Sequence, residues 1–194
     1  MLLWLFSGFL SGLAHAAPTI LVFGDSLSAA YGISRESGWV ALLGQRLPGY
    51  KVVNASVSGE TSAGGLTRLP AILAAHRPNL TILELGANDG LRGLPLQETA
   101  RNLETMIALA KQRGSAVLLV GMQLPPNYGP GYTRKFNALF GEVAQAKQVR
   151  LVPFLFTGLA RERFQADGLH PDAQAQPLLL DNVWRELKPM LKGK

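Results

Sequence analysis

Five short apolar runs, each followed by a longer amphipathic stretch, constrain this chain more than any other feature. The runs fall at 19–23, 51–54, 80–85, 116–121 and 149–152. The stretches at 38–47, 63–75, 96–113 and 132–147 carry apolar residues three and four positions apart, which places them on one face of a helix. A last helix is expected from about 172 to 191, with Pro177 and Pro189 limiting its interior and its end. Strands joined through helices return parallel to one another, because each helix is long enough to cross the sheet. The chain is therefore expected to be α/β: a three-layer α/β/α sandwich around a five-stranded, mostly parallel sheet. No internal repeat, low-complexity tract or linker divides it.

Right-handed crossovers narrow the topology to a flavodoxin-like or Rossmann-like sheet, in which ligands bind beyond the carboxyl ends of the strands. Polar residues at the strand exits are thus the candidates for function. Gly24-Asp25-Ser26-Leu27-Ser28 leaves the first run, the segment 54–61 leaves the second, and Gly86-Ala87-Asn88-Asp89-Gly90 leaves the third. The segment 123–129 leaves the fourth. Near the far end stands Asp167-Gly168-Leu169-His170, a carboxylate and an imidazole three residues apart and so neighbours on one turn.

A hydroxyl becomes a useful nucleophile at neutral pH when a base takes its proton and a third group orients that base. Ser26, His170 and Asp167 supply those three parts. The chain has three histidines. His15 lies in the first segment, and His76 ends a helix before Arg77-Pro78, where capping accounts for it. His170 is the remaining candidate base. Acyl transfer also needs donors aimed at a tetrahedral oxyanion. The backbone N–H groups of Ser26 and Gly59 and the side-chain amide of Asn88 are the expected set.

Each motif taken singly has a plainer reading. The Ser26 loop can be a helix N-cap or a phosphate cradle, and Gly59 and Asn88-Asp89-Gly90 can be ordinary turns. Asp167 and His170 can cap the chain ahead of Pro171. Their joint occurrence, in order and at strand exits, favours chemistry. Other residues read as structural: Trp39, Leu42, Leu43 and Leu47 as a core-facing stripe, and Asp25 as the residue that fixes its own turn. Glu84 and Asp89 are not read as a working pair, since one lies in a strand and the other in a turn. No His/carboxylate cluster has ligand-like spacing, so no metal site and no cofactor are expected.

Composition removes several classes. The 194 residues are 47% hydrophobic and 16% charged, which suits one domain with a full core and argues against disorder. With no cysteine there is no disulfide, thiolate nucleophile or thiolate metal site. The net charge of +6 is spread over separate segments without interleaved aromatics, so a nucleic-acid partner is not expected. Residues 1–13 are apolar and uncharged, and Ala14-His15-Ala16 suits signal peptidase. The expectation is a leader over residues 1–16, although no Lys or Arg precedes its apolar run, and a single domain over 17–194. The run is short for a membrane span, which needs about 20 residues. A periplasmic or secreted monomer without stable membrane insertion is expected.

These residues resemble the SGNH, or GDSL, hydrolase superfamily, whose four signature positions match Ser26, Gly59, Asn88 and His170. The elbow motif of larger α/β-hydrolases is absent, because Ser28 stands where its second glycine belongs. Segments 53–62, 84–93 and 124–129 are similar to the bacterial periplasmic thioesterase I/lysophospholipase/arylesterase group. That resemblance implies hydrolysis of carboxylic esters and thioesters through a Ser26–His170–Asp167 triad and an acyl-enzyme. Three alternatives stand beside it: a carbohydrate acetylesterase of the same fold, a non-catalytic flavodoxin-like phosphate-binding module, and a protease or amidase. Leu124, Pro125 and Tyr128, in the Pro-, Gly- and Tyr-rich segment 123–132, are read either as an acyl-binding wall or as a plain crossover loop.

Overall fold

The computed structural model describes residues 17–191, so the expected leader lies outside the described residues. Strands β1 (Thr19–Gly24), β2 (Lys51–Asn54), β3 (Leu80–Glu84), β4 (Ala116–Val120) and β5 (Arg150–Val152) form one sheet in the order β2-β1-β3-β4-β5. Every pairing is parallel, so the expected mostly parallel sheet is wholly so among the described residues. This is the flavodoxin-like order. The inner strands β1 and β3 are buried along nearly their whole length, which is why they read as unbroken apolar runs. β2 lies at an edge and exposes Lys51 and Asn54.

Helices α1 (Trp39–Arg46), α2 (Ser62–His76), α3 (Ala87–Leu91), α4 (Leu96–Gln112), α5 (Pro130–Lys147) and α6 (Gln176–Leu187) complete the layers. α4 packs between α2 and α5 on one side, and α1 pairs with α6 on the other. On α4 the buried residues are Thr99, Leu103, Met106, Ile107 and Ala110, a single stripe at helical spacing. On α1, Trp39 and Leu43 are fully enclosed and Leu42 is half-buried, in line with the expected core-facing stripe. Each such side chain contributes about 1.5–3 kcal/mol on burial.

Two elements differ from expectation. The single final helix divides into a 3-10 turn (Ala173–Ala175), α6, and a second 3-10 turn (Lys188–Met190). Asp172 starts the first turn by accepting from the Ala175 N–H at 2.8 Å. Pro177 sits in the first turn of α6, where its missing N–H has no helical acceptor to lose. Asn88-Asp89-Gly90, for which an ordinary turn is the plainer reading, instead lie within α3, which begins after Gly86, whose φ of +113° reverses the chain as it leaves β3. A side chain there is strained by conformation and would also press on Phe140.

Because all strands run one way, the loops after β1, β2, β3 and β4 share one edge of the sheet. The order reverses between β1 and β3, so the loops after these two strands flank the crevice where such sheets bind ligands.

Candidate active site

Ser26 follows β1 in a turn held by its own neighbours. Asp25 Oδ1 accepts from the Leu27 N–H at 3.0 Å, and its carbonyl accepts from the Ala29 N–H at 2.9 Å. Asp25 therefore fixes the turn, as its type suggests. Ser26 Oγ lies 2.8 Å from His170 Nε2, across 144 residues of sequence. His170 Nδ1 lies 2.7 Å from Asp167 Oδ2. The other carboxylate oxygen of Asp167 accepts from the N–H groups of Leu169 and His170 at 2.9 and 3.0 Å. The His170 backbone N–H, with that of Leu169 and the imidazole, holds the Asp167 carboxyl at about 2 rather than its usual 3.8. An ionised Asp167 can only accept, so Nδ1 carries the hydrogen and Nε2 offers its lone pair to the Ser26 hydroxyl. One face of the imidazole is covered by the Tyr31 ring, 4.5 Å between centroids.

A second carboxylate lies under this turn. Glu84, fully buried at the end of β3, accepts from Ser28 Oγ at 2.7 Å and from the Asp25 N–H at 3.3 Å. Burial raises its pKa well above 4.5, and the neighbouring Asp25 charge raises it further. Burial likewise lifts Asp25 to about 6. Asp89, the partner first considered for Glu84, serves elsewhere. Its oxygens accept from Ser62 Oγ at 2.5 Å and from the Ser62 N–H at 2.8 Å, tying α3 to the positive start of α2.

The three expected oxyanion donors are not equivalent. The N–H groups of Ser26 and Gly59 find no acceptor among the described residues. Gly59 has φ +78°, a conformation that suits glycine, and its carbonyl is held by Arg92 at 2.9 Å. Asn88 differs. Its Nδ2 donates to Asp25 Oδ2 and to the Glu60 carbonyl, both at 3.0 Å. Both amide hydrogens are thus engaged, and an oxyanion reaches Asn88 only by sharing or displacing one acceptor.

A cleft of about 320 Å³ opens beside Ser26 and His170. Its walls are mainly apolar and include Leu91, Met122, Phe154, Phe156 and Phe164. Leu124 and Pro125 line it as well, whereas Tyr128 and Gly59 do not. Tyr128 turns its hydroxyl to the Leu91 carbonyl at 3.3 Å, so it braces a wall residue from outside. Among the described residues no three His, Asp or Glu side chains gather as metal ligands do.

The model of the GDSL-like Lipase/Acylhydrolase family matches residues 22–177, which include every residue of this site. The chain belongs to that family. Among its GDSL-family relatives is esterase TesA of Pseudomonas aeruginosa, 53% identical over 91% of this chain and 90% of the relative. Thioesterase 1/protease 1/lysophospholipase L1 of Escherichia coli is 41% identical over 97% of this chain and 92% of its own. A crystal structure of the psychrotrophic esterase EstA from Pseudoalteromonas, inhibited by monoethylphosphonate, superposes with a TM-score of 0.85. It is 38% identical and covers 90% of this chain and 99% of that one.

Sequence reasoning did not find Glu84, Ser28, Tyr31 or the three phenylalanines. Glu84 was placed inside a strand and set aside as a partner for Asp89. Phe154 and Phe156 follow β5, the one strand exit without the small polar residues that marked the others.

Proposed function

We propose that Ser26 is the nucleophile, His170 its base and Asp167 the group that orients the base. The chain is a serine hydrolase of carboxylic esters and thioesters, and one observation carries the assignment of roles: the unbroken Ser26–His170–Asp167 hydrogen-bond chain beside an apolar cleft. His170 Nε2 takes the Ser26 proton as Oγ attacks the acyl carbon. The imidazolium then shares its Nδ1 hydrogen with an ionised Asp167 and gives the other proton to the departing alcohol or thiol. Water, deprotonated by the same nitrogen, hydrolyses the acyl-enzyme.

Charge developing on the acyl oxygen is met first by the Ser26 and Gly59 N–H groups. Asn88 joins as the oxygen becomes a better acceptor than the neutral Glu60 carbonyl. Loss of one such donor costs about 2.7–4 kcal/mol of transition-state stabilisation. Leu124, Pro125 and the three phenylalanines bind the acyl chain through apolar contact. Tyr128 supports the same wall indirectly.

The relatives' names, esterase and thioesterase/lysophospholipase, support small-molecule acyl esters and thioesters as substrates. No helix among the described residues is long and apolar enough to cross a membrane. Residues 1–16 are proposed to be a cleaved export leader, and 17–194 a single domain acting as a monomer in the periplasm or outside the cell.

The test is hydrolysis of p-nitrophenyl esters of increasing chain length by the protein and by Ser26→Ala. The variant is expected to lose about four orders of magnitude or more in kcat while keeping its melting temperature. Wild-type activity in the variant would overturn the assignment. Activity that holds toward long chains supports lipid-derived substrates; a sharp preference for acetate points to deacetylation of a sugar or another small ester.

A further inference from the structure

Ser26 sits on the loop after β1, whereas Asp167 and His170 sit on a turn after β5, so two sheet-distant loops must stay in register to within tenths of an ångström. Besides the Ser26–His170 contact itself, one hydrogen bond among the described residues joins them, and the Gln165 side chain supplies it. Gln165 Nε2 donates to the Tyr31 carbonyl at 2.9 Å and to the Pro171 carbonyl at 3.0 Å. Two carbonyl acceptors fix the amide orientation, since Oε1 in that place would face them lone pair to lone pair.

Each end of this bridge leads directly to the triad. The Tyr31 N–H donates to the Ser26 carbonyl at 3.1 Å, and the Tyr31 ring lies on the His170 imidazole. On the other side, the Gln165 N–H donates to the His170 carbonyl at 2.8 Å, and its carbonyl accepts from the Gly168 N–H at 2.9 Å. Residues 165–171 are therefore closed into a compact turn around Asp167. Gly32 completes the fit. With φ +74° and no side chain, it leaves room for the carboxamide, and a Cβ there would stand 2.1 Å from Gln165 Oε1.

We propose that Gln165 is a positioning residue, whose carboxamide clamps the nucleophile loop to the turn that carries the base and so sets the Ser26–His170 contact. This rests on the triad roles given above. Gln165 is not within hydrogen-bond reach of Ser26 Oγ or the imidazole nitrogens, and it acts only through the two loops. Loss of the clamp relaxes an alignment that matters most in the transition state, because misplacement by about 1 Å costs on the order of 100-fold in rate. The Gln165 side chain itself does not line the phenylalanine-lined cleft.

Gln165→Ala and Gln165→Leu test this, the second keeping the volume while removing both donors. Each variant is assayed on p-nitrophenyl butyrate beside the parent and Ser26→Ala, with active sites counted by titration with a small organophosphonate. The expected result is a kcat per titrated site about 10- to 100-fold below the parent and a KM within twofold. The rate of phosphonate inactivation should fall in parallel with kcat, and the melting temperature should stay within a few degrees. Parental kcat per titrated site in both Gln165 variants overturns the clamp while leaving the hydrolase assignment intact. So does a loss confined to fewer titratable sites, because that marks a merely structural role. Full activity in Ser26→Ala overturns the triad roles and the clamp with them.

Discussion

A glutamate inside an apolar run, Glu84, ends β3 fully buried, and its Oε1 has no partner among the described residues. A buried carboxylate without a cation is costly, and the group keeps its proton to higher pH instead. The unfolded chain releases that proton near the ordinary 4.5, so stability linked to Glu84 is complete below 4.5 and is lost as pH rises through the raised folded value. Asp25 acts in the same sense, losing its contribution between 3.8 and about 6. Asp167 acts oppositely: its contribution is present above 3.8 and is lost as pH falls toward about 2, and it is modest because the side chain is 37% exposed. Glu84→Gln keeps an acceptor for Ser28 and removes a titrating group. Its melting temperature relative to the parent is therefore expected to improve as pH rises above 4.5 and to level off once pH passes the raised folded value. Parallel pH profiles for the two proteins would show that Glu84 ionises in the folded state without penalty. At this scale Ser26, His170 and Asp167 were legible as candidates, because few residue types can activate a hydroxyl, and the structure brings them within hydrogen-bond distance of one another. Glu84 was not, since a glutamate in a strand run looks the same whether its neighbours are water or another carboxylate.

Among the elements, two helical glycines make a matched contrast. Gly65 in α2 faces the sheet, and a Cβ there would stand 2.4 Å from Leu85 Cδ1 and 3.2 Å from Phe23 Cε1. Gly141 in α5 is exposed, with nothing within 4 Å of the same atom. Helix propensity alone favours alanine at both, by about 1 kcal/mol. Packing reverses the sign at the first. Gly65→Ala is expected to lose about 1–3 kcal/mol by overpacking, and Gly141→Ala to gain up to about 1 kcal/mol, as measured by urea unfolding. Stabilisation at position 65 would mean that α2 can lift from the sheet without cost. The five strands and five longer helices were legible from period, since burial imposes period on sequence. α3 was not. Five residues are too few for a periodic signal, and the chain folds into a helix there because Gly86 reverses it and Asp89 anchors it to Ser62.

At the scale of the molecule, the cleft is assembled from the loops after β1, β3, β4 and β5, so no single segment displays it. Its volume of about 320 Å³ makes acyl length the property it can discriminate. Leu124→Trp adds bulk to one wall and is expected to lower kcat/KM for long-chain p-nitrophenyl esters about tenfold or more, with the acetate ester within twofold. Equal losses across the series would place the long acyl chain elsewhere.

Sequence alone determined the α/β class, the parallel sheet, the strand exits as the place of function, and the residues able to serve as nucleophile, base and orienting acid. Those follow from local periodicity and from the small set of side chains that can activate a hydroxyl. Tertiary structure decided that the Asn88 amide arrives with both hydrogens engaged while two backbone donors stand free. It also decided that Glu84 pairs with the Asp25 turn rather than with Asp89, that Tyr128 braces a wall it does not line, and that Gln165 joins two loops. Each of these depends on which donor meets which acceptor across the sheet. That is set by distances of tenths of an ångström between segments far apart in the chain, which residue order does not encode in any local pattern.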